Sequence, residues 1–452
     1  MTIDPSIFKA YDVRGIYPDS ITPELAYKIG QAYAEFIKPK GEVVVGNDVR
    51  LHSEELKMKV AEGLTDSGVD VVDIGLISTD MYYFAVGNYG FAGGIQSSAS
   101  HNPPEFHGFK MIREKVIPLT FEDGISQIRD LIVKDEFVKS ETKGKIRKLN
   151  IDDDYVDYIL SWLKLKDIKH FKVVINPNFG YAGVMFRKIV ERGKLPIEII
   201  GLNDEPDGTF PKGRPDPFIP DNRIEISELV KSSEADFGIA WDADADRVFF
   251  CADGGLFAEP YYLNTVLIKQ MLKKYPKEKI IYDPRYTWAL IDAIKENGGE
   301  PVISKVGHSY IKEKMREVNA LYATESSGHT YFRDFWYADN GMIPVMQILE
   351  FLTENDVKLS EVIQPVINKY FISGEINTEV TDKEGKMEEI AEKYADGNVS
   401  RLDGVAVEYS DFRFVVRPSN TESLLRLTLE AKSKDLMEVK RDEVLAIIRS
   451  GA

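Results

Sequence analysis

The strongest constraint on this chain is an order of elements that occurs three times. A short apolar run ends in a small polar loop, and a helix-like segment follows, at residues 42–48 (EVVVGND), 172–178 (KVVINPN) and 279–285 (KIIYDPR). About two dozen residues later comes a second strand-like run, at 69–75, 195–201 and 301–307, the spacing of a strand–helix–strand crossover. A third run closes each unit: GGIQSSAS from Gly93, ADFGIAWDAD from Ala235 and ALYATESSG from Ala320. Residues 23–37 and 54–65 carry apolar positions near helical spacing, with Thr22 and Ser53 standing where N-caps belong.

The repeat predicts three similar α/β domains, near 1–145, 146–250 and 251–365, with mixed sheets flanked by helices. After about Lys369 the pattern changes to a strand-like start (YFISGEINTEV), a charged helix at 382–394, two strands (FRFVVRP and LLRLTLEA) and a C-terminal helix. That describes a smaller α+β domain over 366–452. A length of 452 residues agrees with about three domains, give or take one, at roughly 150 residues each. In each α/β unit the third strand runs into the most polar loop. Ligands in open α/β sheets bind beyond the carboxyl ends of strands, so these three loops and one from the fourth domain are expected around a central cleft.

Composition removes several classes. Hydrophobic residues make up 43% and charged residues 29%, which suits a globular chain and not a disordered one. Lys plus Arg number 57 against 74 Asp plus Glu, a formal charge of −17 that argues against a nucleic-acid partner. An anionic small substrate stays open, because a few local arginines override the global field. No apolar run approaches ~18 residues, so no membrane span is expected. The opening MTIDPSIFKAYDVRG lacks the apolar stretch of a secretory signal. A single cysteine, Cys251, leaves no intrachain disulfide and no Cys-cluster zinc site. The expectation is a soluble, cytoplasmic, multidomain protein.

Four loops carry the chemistry. The first, residues 97–104 (SSASHNPP), is built of ordinary turn formers. Yet four of the six histidines, His101, His107, His308 and His329, lie in these loops or beside them. Ser100 next to His101 suggests a nucleophile with help at hand, although the G-x-S-x-G elbow of serine hydrolases is absent. The second is DADADR. Alternate carboxylates Asp242, Asp244 and Asp246 can converge on one hard cation, and oxygen-only ligands suit Mg²⁺. An EF-hand fails here, with Arg247 at its sixth position and Asp253 at its twelfth. A solvated acidic turn is the alternative, but three like charges ending the apolar run FGIAW repel one another unless a cation binds.

The third loop, Glu325-Ser326-Ser327-Gly328-His329, offers a carboxylate and a hydroxyl able to grip sugar hydroxyls; a helix cap or turn explains the same residues. The fourth, Arg417-Pro418-Ser419-Asn420-Thr421-Glu422, is followed by Arg426. Two arginines, two hydroxyls and an amide suit a phosphate, against a hairpin turn with surface arginines. No G-x-x-x-x-G-K-[ST] or G-x-G-x-x-G pattern supports ATP or a dinucleotide. The four loops together fit phosphoryl transfer on a phosphorylated sugar.

The order SASHNP, DADADR, ESSGH, RPSNTE resembles the α-D-phosphohexomutase superfamily, most closely its phosphomannomutase/phosphoglucomutase branch. FKAYDVRG, DGTFP and KVGHS extend the resemblance over essentially the whole chain. It implies an isomerase that interconverts hexose 1-phosphate and hexose 6-phosphate through a phosphoserine and a hexose 1,6-bisphosphate. By that resemblance Ser100 is the phosphorylated serine, and Asp242, Asp244 and Asp246 hold Mg²⁺ with a Ser100 phosphate oxygen. Glu325 and Ser327 hold sugar hydroxyls, while Arg417, Ser419, Asn420 and Thr421 hold the non-reacting phosphate. Lys110, His101 and His329 are candidates for proton transfer or charge stabilisation. Tyr11, Arg14, Arg247, Arg285 and His308 line the cleft, Arg247 being counted with the catalytic groups.

Some positions depart from the pattern. His107 replaces a usual Asn, which predicts altered hydrogen bonding near Lys110. Ala243 and Ala245 replace glycines without removing a ligand atom, so metal binding is expected to survive. Thr324 stands where Gly is frequent, and Asn420 replaces a commoner Gly. A phosphoglucosamine mutase is the alternative within the fold, since Ser326 favours neither sugar. From a different class, the alternative is a catalytically silent sugar-phosphate-binding homologue that keeps the fold, opposed by intact Ser100, the three Asp and Arg417.

Overall fold

The computed structural model describes residues 4–419 and 423–450. The chain forms two compact units, residues 1–257 with 328–356, and residues 258–327 with 357–452.

In the first unit, Val43–Asn47 runs parallel to both Val71–Leu76 and Gly93–Ser97. Every residue of Val43–Asn47 is buried, which is why it reads as an unbroken apolar run: helices cover both faces of a parallel sheet. Helix Pro23–Ile37 begins as its sequence predicts, the Thr22 hydroxyl accepting from the Leu25 N–H. The next helix differs. It spans Ser53–Asp66, and Ser53 lies inside it, donating to Asp48 Oδ1 at 2.5 Å. A buried carboxylate is the stronger acceptor, so the hydroxyl serves Asp48 and caps nothing.

Antiparallel strands, Phe106–Arg113 and Val13–Ile16 among them, join this sheet without standing out in the sequence. Phe106–Arg113 pairs with Gly93–Ser97 on one side and with Val13–Ile16 on the other. The sheet is therefore mixed. A second mixed sheet places Ile197–Gly201, Phe171–Asn176, Phe237–Trp241 and Val248–Ala252 side by side in that order, the last antiparallel to its neighbour. Residues 328–356 add a hairpin, Thr330–Phe332 with Ala338–Asp339, and the largely buried helix Ile343–Asn355.

In the second unit, Lys279–Tyr282 lies parallel to Glu300–Ile303 and to Tyr322–Thr324. Helices Pro260–Lys274, Trp288–Glu296 and His308–Val318 accompany them. The C-terminal sheet has the order Phe371–Ile372, Leu424–Ala431, Phe412–Pro418, Val405–Glu408, Asn398–Ser400. Its last two strands, of four and three residues, are too short for a strand period to stand out in the sequence. Helices Lys383–Lys393 and Lys434–Arg449 begin at the side-chain caps Asp382 and Ser433. Among the described residues no helix is long and apolar enough to cross a membrane.

Candidate active site

Strand Gly93–Ser97 ends at the first polar loop, and strand Phe237–Trp241 ends at the second. The two loops meet within the first unit. Ser100 takes a left-handed backbone, φ 50°, and its Oγ lies 3.4 Å from Asp242 Oδ2 and 3.1 Å from His101 Nδ1. Asp242, Asp244 and Asp246 are all buried and present carboxylate oxygens within 4.8 Å of one another. Such a set, all oxygen and all charged, fits a hard divalent cation. Asp244 supports that fit in detail. Its Oδ2 accepts from Thr79, Ser98 and Lys110, at 2.6, 3.3 and 2.6 Å. Its Oδ1 is buried and has no hydrogen-bond partner among the described residues.

The close packing of the aspartate loop is written into small residues. A Cβ on Gly180 would sit 2.3 Å from the Ala243 carbonyl oxygen. Ala245 adopts φ 58°, a left-handed conformation that costs an L-residue roughly 1–2 kcal/mol. The loop thus keeps a glycine-like backbone although Ala stands there.

The nearest compensating charge is a lysine. Lys110, on strand Phe106–Arg113, places Nζ 2.6 Å from Asp244 and 2.7 Å from Asp246. Burial works against its ammonium, but Asp244 and Asp246 overcome burial and push its pKa above the usual lysine range. Burial raises Asp242 well above the ordinary carboxylate range, and Asp246 and Asp244 add to the effect. For Asp246 burial acts in the same sense, yet Lys110 and His329 outweigh it and hold the group well below that range. His101 is kept neutral by burial first, then by Arg247, Arg14 and Arg214.

Arg247 and His329 stand beside these groups. The Arg247 N–H donates to Asp242 Oδ1 at 3.2 Å, and its side chain reaches Asp216 Oδ1 at 3.7 Å. His329 Nε2 is 3.4 Å from both Arg247 Nε and Asp246 Oδ1. Arg14 bonds Asp12 through Nε at 2.7 Å and Asn102 Oδ1 at 2.5 Å. Tyr11 precedes Asp12 and is half-buried. His107 corrects an expectation. Strand alternation turns it to the face opposite Lys110, where it packs against Tyr17 and His52, so it does not shape hydrogen bonding at Lys110.

The second unit gathers a different chemistry. Arg285 is buried and bonds Asp283 Oδ2 at 2.7 Å, with Glu325 at 3.5 Å and Glu375 at 3.8 Å. Glu325 Oε1 also accepts from the Gly307 N–H at 3.1 Å, immediately before His308 opens its helix. Ser327 is half-buried at the end of this segment. Arg417 Nε donates to Asp403 at 2.8 Å. Arg426 lies 3.4 Å from both Glu375 Oε1 and Ser419 Oγ. Asn420 and Thr421 lie outside the described residues. The ESSGH segment is divided, Glu325–Ser327 belonging to the second unit and His329 to the first.

Four sequence profiles of one family match in order. They are Phosphoglucomutase/phosphomannomutase alpha/beta/alpha domain I at 5–139, domain II at 153–255, domain III at 259–370, and the C-terminal domain at 375–447. The chain belongs to the phosphoglucomutase/phosphomannomutase family. Among its relatives are the phosphomannomutase of Vibrio cholerae, 42% identical over 98% of each chain, and the phosphohexose mutases of Xanthomonas campestris pv. campestris, 39% identical over 98% of this chain and 99% of theirs. A phosphoglucomutase/phosphomannomutase family protein of Burkholderia thailandensis, solved by X-ray crystallography, superposes with a TM-score of 0.89 at 31% identity, covering 100% of this chain and 99% of that one. This family member is thus a phosphohexomutase, an isomerase acting on hexose phosphates, with three α/β domains, a C-terminal domain and an acidic group suited to a metal.

Several residues of this phosphohexomutase's site escaped sequence reasoning. Thr79 links Asp244, Gln96 and Lys110. Asp216 faces Arg247 and Arg214, Asp283 holds Arg285, and Glu375 sits between Arg285 and Arg426. Asp283 and Glu375 lie inside the runs KIIYDPR and YFISGEINTEV, and Asp216 lies a few residues beyond DGTFP, but only its partner in space gives each of these residues a role.

Proposed function

We propose that this mutase interconverts the 1-phosphate and the 6-phosphate of a hexose, mannose and/or glucose, through a phosphoserine at Ser100 and a hexose 1,6-bisphosphate. The observation that carries this reading is Ser100 Oγ, 3.4 Å from Asp242 and 3.1 Å from a neutral imidazole. The phosphoryl group leaves Ser100 Oγ for the free hydroxyl of a sugar monophosphate. One P–O bond breaks, one forms, and the proton lost by the hydroxyl ends on Ser100 Oγ. The bisphosphate, turned end for end, then returns its other phosphoryl group to Ser100, and the Oγ proton passes to the sugar oxygen that this group leaves. His101 carries the proton at Oγ. Lys110, held as an ammonium, stabilises developing charge instead of acting as a base, with Arg247 and His329 beside it.

Asp242, Asp244 and Asp246, with a phosphate oxygen on Ser100, would hold Mg²⁺, which would supply neutralisation of charge on the transferring group and a better serine leaving group. Glu325 and Ser327 bind sugar hydroxyls. Arg417, Ser419, Asn420 and Thr421, backed by Arg426, bind the phosphate that is not reacting. Tyr11, Arg14, Arg285 and His308 complete the substrate contacts. On this reading, domains near 1–145, 146–250, 251–365 and 366–452 contribute nucleophile, metal, sugar grip and phosphate cradle in turn.

The test is a mutase assay of the purified protein on mannose, glucose and glucosamine phosphates, with Mg²⁺ and a bisphosphate primer. Turnover of mannose or glucose phosphate is expected, together with an added phosphoryl mass that Ser100→Ala lacks. Full activity in Ser100→Ala defeats the nucleophile assignment. Faster turnover of glucosamine phosphate transfers the substrate to the amino sugar.

A further inference from the structure

Arg50 follows strand Val43–Asn47 and is buried, 2% exposed, yet all four hydrogen bonds of its guanidinium end on one loop. One terminal nitrogen donates to the carbonyls of Pro103 and Phe106, at 2.7 and 2.9 Å. The other donates to the carbonyls of Ser100 and Asn102, both at 2.7 Å. These four carbonyls point at one place, and their dipoles repel unless a cation gathers them. The loop itself supplies the Pro103 carbonyl with the Phe106 N–H at 3.0 Å, while Pro103 and Pro104 carry no N–H to offer.

The clamp is itself braced. Asp48 lies 3.3 Å from Arg50 Nε and accepts the Arg50 N–H at 3.0 Å, supplying the counter-charge that a buried guanidinium needs. The ring of Phe210 covers the guanidinium, 4.9 Å from its carbon. Residue 50 also bridges Gly208, where a Cβ would meet the Val49 carbonyl oxygen at 2.1 Å, so only glycine permits this approach. The same stretch continues to Arg214, whose Nε donates to the His101 carbonyl at 3.1 Å.

We infer that Arg50 is a positioning residue: by gathering the Ser100, Asn102, Pro103 and Phe106 carbonyls it holds the left-handed turn in which Ser100 Oγ faces Asp242. The inference rests on Ser100 being the nucleophile. Lysine cannot replace arginine here, since an ammonium lacks the planar fork that serves four carbonyls through two terminal nitrogens.

The experiment compares the full-length wild type with Arg50→Lys and the milder Phe210→Leu, each normalised to its folded fraction. For Arg50→Lys, kcat should fall by about 10²-fold, the scale of a nucleophile displaced by roughly 1 Å, while KM for the sugar phosphate stays within about threefold. Amide exchange across residues 98–107 should quicken in the same variant, independently of any assay. Phe210→Leu should move both readouts the same way by less, and it decides the matter if Arg50→Lys does not fold. Unchanged kcat per folded molecule, or a KM that rises in step with the loss, overturns the positioning role; unchanged exchange overturns the clamp. If Ser100→Ala proves fully active, the nucleophile assignment fails separately, and the exchange experiment still judges whether Arg50 holds the loop.

Discussion

Arg417 and Arg426 stand directly opposite one another on neighbouring antiparallel strands, so their side chains share one face of the C-terminal sheet. Like charges in that relation repel. Each has its own carboxylate, Asp403 at 2.8 Å for Arg417 and Glu375 at 3.4 Å for Arg426. A cation pair kept in this way is suited to share an anion. A charge-assisted bond of this kind contributes roughly 1.5–3 kcal/mol, so Arg417→Ala should lower kcat/KM by about one to two decades. The loss should be equal in the forward and reverse directions. Phosphorylation of Ser100 in the resting protein should persist, as intact mass will report. Kinetics unchanged in both directions, with the fold intact, would remove Arg417 from substrate binding.

Asp244 is fixed by three donors through one oxygen and leaves the other buried without a partner among the described residues. Asp244→Asn removes one charge from the proposed ligand set and should slow turnover by about 10² or more. Treating the wild type with EDTA should abolish activity, and adding Mg²⁺ should restore it. A wild type that keeps its rate after EDTA would refute a metal at these aspartates.

His101 is neutral because burial, Arg247, Arg14 and Arg214 all disfavour its protonated form. A free histidine protonates near ~6.5. If His101 handles the proton at Ser100, the acid limb of kcat/KM against pH lies below that value. Arg214→Ala takes away one positive neighbour and should move the limb to higher pH. Rate profiles of the two proteins that superimpose would argue that His101 has no part in proton transfer.

His107 provides a stability test away from the chemistry. Burial, then Arg50 and His52, lower its pKa to about 3. In the unfolded chain it protonates at about 6.5. Above that pH neither state binds the proton and the contribution is complete. As pH falls below it, the unfolded chain gains a proton that the folded one refuses, and stability drains until about pH 3. The melting temperature of His107→Asn should therefore fall less between pH 7 and pH 4 than that of the wild type. Equal slopes would contradict the buried neutral imidazole.

The alternation of apolar runs and polar loops, the helix starts at Thr22 and Asp382, and the motifs that carry family membership are legible along the chain. Those features are local: a cap needs one side chain and the next turn, and a buried parallel strand announces itself by composition. Tertiary structure decided the rest. Ser100 and Asp242 are 142 positions apart, and Thr79 reaches Asp244 across 165. The strand Phe106–Arg113 that carries Lys110, the turning of His107 away from it, the hold of Arg50 on four carbonyls and the place of Glu375 between two arginines all depend on which distant polar group a side chain meets. Hydrogen bonding and charge compensation in a buried site are settled between neighbours in space, and no periodicity along the chain records them.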